Sequence, residues 1–295
     1  MSENLKTAMQ IPDEIRKCVV FVGFQMADQS FRMAGTAFFL SRSVPGVPDR
    51  VFCYLMTAKH VITKIRDLGL DTVCIRVNLK NGNAQWISTA LDSWYFHETD
   101  PCVDVAVSKF EPADELDHLV FSLMGAATEF TLSTLKIGIG VEIFIVGLFS
   151  QHFGKSRNIP IVRIGNIAAM ADEKVSTKLG DIDAYLIEAR STGGISGAPV
   201  FFDAGDKALR YLRTFPQKYF LLGIVHGHFD VPQSTRDALE DSLSDEKINM
   251  GIGIVVPTEI AIEVMNHSGI LKQEAQEAME LMQKRDNIAA SPPLQ

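Results

Sequence analysis

The feature that most limits the folds open to this chain is a series of short segments rich in Val, Ile, Phe, Thr and Tyr, each cut off by a turn signal. Between residues 18 and 110 the series reads CVVFVGFQ, RMAGTAFFLS, RVFCYLMTA, TVCIRVNL, AQWISTAL and DVAVSKF, broken by SVPGVPD, NLKNGN and ETDPC. β-Branched and aromatic residues suit a pleated, half-buried surface, and Gly, Pro, Asn and Asp end it. One segment departs from the pattern: HVITKIRDLG carries Val61, Ile62, Ile65 and Leu68 at helical spacing. A polar, helix-compatible stretch runs from Glu111 to about Ala127. A second series then follows from about 135 to 256: KIGIGVEIFIVGLF, IPIVRIGNIAAM, DAYLIEA, APVFF, YFLLGIVHG and MGIGIVV. Two sets of about six strands predict an all-β chain folded as two barrels or sandwiches.

Helices are expected only at the end. Pro257-Thr258 opens TEIAIEVMNH, and ILKQEAQEAMELMQKRD follows with Leu271, Ala275, Ala278 and Leu281 on one stripe. That stripe is free to dock on its own barrel, on a regulatory partner or on a second copy. The tail NIAASPPLQ is expected to be disordered. A net charge of −8 lacks the basic footprint of a nucleic-acid binder and gives no reason to sit on an anionic membrane. The start, MSENLKTAMQIPDEIRKC, carries no basic-then-apolar signal, and no apolar run is long enough to span a bilayer. A soluble, cytoplasmic protein is the expectation. Cys18, Cys53, Cys74 and Cys102 form no Cys-x-x-Cys pair, and no His cluster has zinc-ligand spacing. Buried free thiols, with no metal and no cofactor, are expected.

STGGISGAPVFF, residues 191–202, holds a serine between glycines ahead of an apolar run. Alone it reads as well for a turn as for a nucleophile. A serine nucleophile needs a base, a group that orients the base, and donors for the oxyanion. His60 stands in MTAKHVI, where a strand ends and a helical turn begins, with His97, His118, His152, His226, His228 and His267 as competitors. Asp104 heads the strand DVAVSKF, with Asp100 as its rival. Gly194 and Gly197 let the backbone around Ser196 turn so that the N–H groups of Gly194 and Ser196 converge.

The order His60, Asp104, Ser196, with TAKHVI, DVAVSKF, GISGAPVF and LLGIVHG around it, resembles the chymotrypsin-like serine peptidases over residues 18 to 267. GTAFFLS and GIGIVVPTEIAIEVM resemble the bacterial high-temperature-requirement branch. The resemblance implies two six-stranded antiparallel Greek-key barrels with C-terminal helices. Residues 15–125 would carry His and Asp, and residues 126–268 Ser and the specificity pocket. Residues 269–295 would be a helix and a disordered tail. It implies a serine endopeptidase acting on polypeptides, with His60, Asp104 and Ser196 as the triad and Gly194 and Ser196 as the oxyanion hole. A silent peptide-binding pseudopeptidase and an esterase with the same triad are the alternatives. The α/β-hydrolase fold is disfavoured, because Ala198 replaces the second Gly of its motif and APVFF reads as a strand.

The departures from the family pattern are informative. Ile195 stands where secreted members carry an aspartate that pairs with a newly cut N-terminus, so that switch is excluded by the resemblance. Ala198 stands where Gly is usual. His226 stands where many members place a serine bonded to the triad acid, so it either takes over that contact or signals a shifted register. Arg190 matches the pocket floor, where it either selects acidic or amide side chains or pairs with Glu188, and His226 or His228 would help line the pocket. The acid-rich segment Asp230–Lys247 reads as a surface insertion or as a lid.

Overall fold

A computed structural model describes residues 11–48, 50–189, 194–205, 218–232 and 247–289. Arg190, the centre of the acidic segment and the final residues fall outside that set.

The first series forms β1 (Val19–Gln25), β2 (Phe31–Ser43), β3 (Val51–Thr57), helix α1 (Lys59–Asp67), β4 (Thr72–Asn78), β5 (Ala84–Ala90), β6 (Trp94–Tyr95), β7 (Ala106–Lys109) and β8 (Phe121–Ser122). The second series forms β9 (Glu142–Gly147), β10 (Ile161–Ala169), β13 (Tyr185–Glu188), β14 (Pro199–Asp203), β15 (Tyr219–Pro232) and β16 (Lys247–Pro257). A small hairpin, β11 (Val175–Thr177) and β12 (Gly180–Ile182), stands beside it. β10, β13, β16, β15, β14 and β9 close into a six-stranded antiparallel barrel. The first set runs in the order β5-β4-β1-β2-β3-β7-β6, with β8 beside β2. This is the mostly-β, chymotrypsin-like arrangement with C-terminal helices.

The first sheet differs from a closed barrel at one seam. β5 and β6 are its two ends, yet they are consecutive in the chain, joined by the turn Leu91–Ser93. β6 has only two residues to offer, so side chains bridge the seam instead: the Trp94 indole N–H donates to Thr89 Oγ1 at 3.2 Å.

Period-2 alternation sorts the strand residues into separate cores. Val20, Val22, Ala37, Phe39 and Leu55 pack with Val61, Ile62 and Ile65 of α1. Their neighbours Phe21, Phe38, Leu40, Tyr54 and Met56 point the other way, into a core shared with Phe144, Phe201 and Leu221 of the second barrel. Both faces are therefore covered, which is why these segments read as nearly unbroken apolar runs.

The Glu111–Ala127 stretch is not a helix. Its backbone is spent on strands already in place: Lys80 N–H bonds Glu115 O, Asp117 N–H bonds Asn78 O, and Leu119 N–H bonds Lys17 O. A chain that straps across a sheet in this way cannot also make helical bonds. Only β8 and a 3-10 turn, Leu123–Gly125, form in it. Helix α2 (Glu129–Leu135) begins just after, where Thr128 Oγ1 accepts the Thr131 N–H.

The chain ends in α3 (Thr258–Met265) and α4 (Ser268–Ala289). α4 docks on its own chain, but only Ala278 and Leu281 of the expected stripe take part. Ile270, Glu274 and Ala278 are buried, whereas Leu271 is 42% exposed and Ala275 is exposed. An acid in that face is answered by basic and hydroxyl groups opposite. Tyr54 donates its hydroxyl to Glu274 Oε1, and Arg42 reaches the same oxygen from Nε at 3.0 Å and from Nη2 at 2.9 Å. Arg42 also bonds Asn266 Oδ1 and Met265 O, both at 2.7 Å. Lys109 pairs with Glu277 in addition.

Glu274→Ala is expected to leave the half-buried Arg42 without its charge partner and to cost about 3 kcal/mol. Leu271→Ala on the exposed face should stay within about 0.5 kcal/mol. Urea unfolding of the two variants beside the parent checks both, and equal losses would contradict the docking face.

Candidate active site

Helix α1 starts without a cap of its own. Its N-cap position is Ala58, which offers no side-chain acceptor, and its first turn holds no acid. Free N–H groups at a helix start favour an acceptor, and a negative one most. Asp104, in the loop just ahead of β7, supplies it: Oδ1 accepts the His60 backbone N–H at 2.8 Å. Its other oxygen, Oδ2, lies 2.7 Å from His60 Nδ1. One carboxylate thus holds both the backbone and the ring of His60. The Asp104 side chain is fully buried, while the His60 side chain keeps 17% of its surface.

A second imidazole meets the same oxygen. His226 Nδ1 is 2.5 Å from Asp104 Oδ2, and the two rings stand edge to face with centroids 5.7 Å apart. The cause is a bulge. Along β15 the pairing steps from Val225 opposite Val255 to Gly227 opposite Ile254, so His226 is the extra residue. A bulge frees one residue from the ladder and re-aims its side chain. His226 therefore meets the acid.

Burial pushes the Asp104 carboxyl up, but the hydrogen bonds from His226 and His60, and their charges, outweigh it and hold it well below the usual carboxylate range. Asp104 is then ionised at neutral pH and can only accept. Both histidines donate from Nδ1, which leaves Nε2 of each neutral ring as an acceptor.

The rivals sort themselves out. Asp100 serves its own turn, accepting the Cys102 N–H at 2.8 Å. His97 faces Glu263, His118 bonds Leu116 O, His267 faces Glu98, and His152 is exposed. His228 lies on β15 opposite Gly253 and is partly buried. Cys18, Cys53 and Cys74 are buried free thiols, while Cys102 is only partly buried. Arg190, expected at the pocket floor, lies outside the described residues.

Ser196 sits in a loop pressed against the corner that carries His60. Gly194 has φ +104° and Gly197 φ +82°, a region that favours glycine. A Cβ on Gly197 would fall 2.2 Å from Thr57 Oγ1, 2.3 Å from Thr36 O and 2.8 Å from Ala58 N. Thr36, fully buried, ties the loop down: its N–H bonds Ser196 O at 2.9 Å and its hydroxyl donates to Gly194 O at 2.8 Å. The same hydroxyl accepts the Leu148 N–H at 2.9 Å. Ile195 is buried in the second barrel as an apolar anchor, and Ala198 finds room because Gly147 faces it without a side chain.

The N–H groups of this loop divide in two. Gly197 donates to Val225 O and Ala198 to Ile195 O. Those of Gly194 and Ser196 have no acceptor among the described residues. The Ser196 hydroxyl also has no hydrogen-bond partner among them, so the link from Oγ to His60 is not closed here. Catalytic hydrogen bonds are often loose until substrate is bound.

Sequence reasoning did not single out Thr36 as the joint of this site. The only trace is a hydroxyl in the otherwise apolar run GTAFFL. His60, Asp104 and His226 also bring potential ligand atoms within 4.8 Å of one another. Both ring nitrogens already lie at hydrogen-bond length from one carboxylate oxygen, so no gap for an ion separates them.

No protein-family model matches this sequence, and no curated protein matches it. Among solved structures the chain is similar to the MamO protease domain of Magnetospirillum magneticum in its apo form. The TM-score is 0.51 at 16% identity, covering 85% of this chain and 96% of that one. That likeness is one of fold. No helix among the described residues is long and apolar enough to cross a membrane.

Thr36→Val should strand the Leu148 N–H and the Gly194 carbonyl and lower stability by about 2 kcal/mol in denaturant unfolding. Asp104 has a lowered folded value, so its contribution is fully present above the unfolded carboxylate value of about 4 and is lost as pH falls below it. The stability gap between the parent and Asp104→Asn should therefore shrink as pH falls below about 4. A gap that kept growing below that pH would contradict this reading.

Proposed function

We propose that the protein is a serine endopeptidase using His60, Asp104 and Ser196 through an acyl-enzyme, with no metal or cofactor. The observation that carries the reading is the buried Asp104 carboxylate, which accepts both the backbone and ring N–H of His60. With Nδ1 donating, Nε2 of His60 is the free base. In the proposed reaction Ser196 Oγ attacks the peptide carbonyl as its proton passes to His60 Nε2. Asp104 keeps the ring in its tautomer and stabilises the imidazolium. The unspent N–H groups of Gly194 and Ser196 receive the oxyanion. His60 then gives its proton to the leaving amine, and water completes the cycle.

Residues 15–125 would then be the unit bearing base and acid, and residues 126–268 the unit bearing nucleophile and pocket, with His228 and Arg190 toward substrate. A cytoplasmic setting and membership of the bacterial high-temperature-requirement branch complete the proposal. One observation favours a second reading, a silent peptide-binding module: the Ser196 hydroxyl is not bonded to His60.

Labelling with a fluorophosphonate separates the two. The parent should label and Ser196→Ala should not, with turnover abolished and the circular-dichroism spectrum unchanged. A folded parent that stays unlabelled favours the binding module. Terminal-peptide profiling of a treated proteome then tells an endopeptidase from an esterase.

A further inference from the structure

Asp104 Oδ2 accepts from two imidazoles, at 2.7 Å from His60 and 2.5 Å from His226. A hydroxyl in the place of His226 could donate a hydrogen bond but could take up no further proton. An imidazole can do both. The His226 side chain keeps 13% of its surface, and its Nε2 has no protein partner among the described residues, so it can take a proton from hydronium. We propose that His226 is a positioning residue that competes with His60 for Asp104, so that one carboxylate serves two bases and the pair together sets the acid limit of the reaction. This rests on the assignment of His60 as the base.

The chemistry follows from charge counting. With both rings neutral, the unit Asp104–His60–His226 carries one negative charge, and one proton neutralises it. If that proton sits on His226, His60 is still unprotonated but the carboxylate behind it is already compensated. Forming the His60 imidazolium then sets two positive rings 5.7 Å apart against one carboxylate. The two sites must therefore load in sequence rather than independently, as interacting groups do. The step moves a proton from hydronium to His226 Nε2, releases water and needs no other reactant.

The remaining charges around the unit do not remove the competition. Asp100, Lys174 and Asp183 line a small cavity beside Asp104 with Val103, Ile182 and Val256. Lys174 pairs with Asp183 at 3.1 Å, and Asp100 is tied to its turn. Lys59, on the His60 side, donates to Pro101 O.

The test uses the full chain carrying Ser196→Ala, with labelled histidine ring carbons followed by NMR against pH. Expected are two inflections in both the His60 and His226 signals, over the same two pH ranges. Adding His226→Ser should leave a single inflection for His60. His226→Gln, which keeps an N–H donor and most of the volume, should do the same and serves if the serine variant fails to fold. A single His60 inflection that neither substitution moves overturns the proposal. In parallel, the fluorophosphonate labelling rate of the Ser196-containing protein should show an acid limb drawn out over two ionisations, which contracts to one in His226→Gln. Coupled signals in a protein that never labels would support the pairing and overturn the hydrolase reading.

Discussion

The backbone of the Ser196 loop meets the backbone of the first sheet with no room for a side chain between them. Gly197 lies against Thr57, Thr36 and Ala58, and a Cβ there would sit within hydrogen-bonding distance of oxygen and nitrogen atoms it cannot bond. Two parts of the chain far apart in sequence are thereby set in register. Thr36 makes the contact specific. Its amide holds Ser196 O, and its hydroxyl is shared between Gly194 O and Leu148 N. The relative position of Ser196 and His60 depends on this joint, because His60 stands three residues beyond Thr57.

The same strand carries the joint across the molecule. Period-2 geometry places Thr36, Phe38, Leu40 and Arg42 on one face of β2. Thr36 meets the Ser196 loop, Phe38 and Leu40 enter the core shared with the second barrel, and Arg42 grips Glu274, Asn266 and Met265. The other face, with Ala37 and Phe39, belongs to the core under α1. These contacts of β2 with the second half of the chain thus come through alternate residues of one segment. A one-residue slip would present the wrong face to both cores at once, so the register at the site is defended by apolar packing along the strand as well as by Thr36.

How much of this is legible in the sequence follows from how local each cause is. The principal strands of both series and α1 show up because β-branched runs and helical spacing are local properties. The order of His60, Asp104 and Ser196 shows up because it is linear. Elements whose cause lies elsewhere do not. The Glu111–Ala127 strap is polar and helix-compatible in composition, yet its hydrogen bonds go to residues 17, 78 and 80. Glu274 reads as a solvent-facing residue until Arg42 and Tyr54 are brought opposite it. The seam between β5 and β6 depends on a strand too short to announce itself. His226 is the instructive case: the sequence left open whether it bonds the acid or the register shifts. In the structure it bonds the acid because the register shifts.

That bulge decides what kind of acid Asp104 can be. A fully buried carboxylate without partners would favour its neutral form, and a neutral acid would cap α1 more weakly and, donating to the His60 ring, would impose the opposite tautomer. Three N–H groups prevent this: the His60 backbone, the His60 ring and the His226 ring. Two of them come from His60 and would exist in any chain that brought α1 beside the loop ahead of β7. The third exists only because β15 has one residue more than β16 at that point. The ionised state of the acid, and so the tautomer of the base, therefore draws on strands of the second barrel that touch neither α1 nor β7 through the ladder. The two halves of the fold meet in the backbone at Thr36 and Gly197, and they meet again in charge at Asp104.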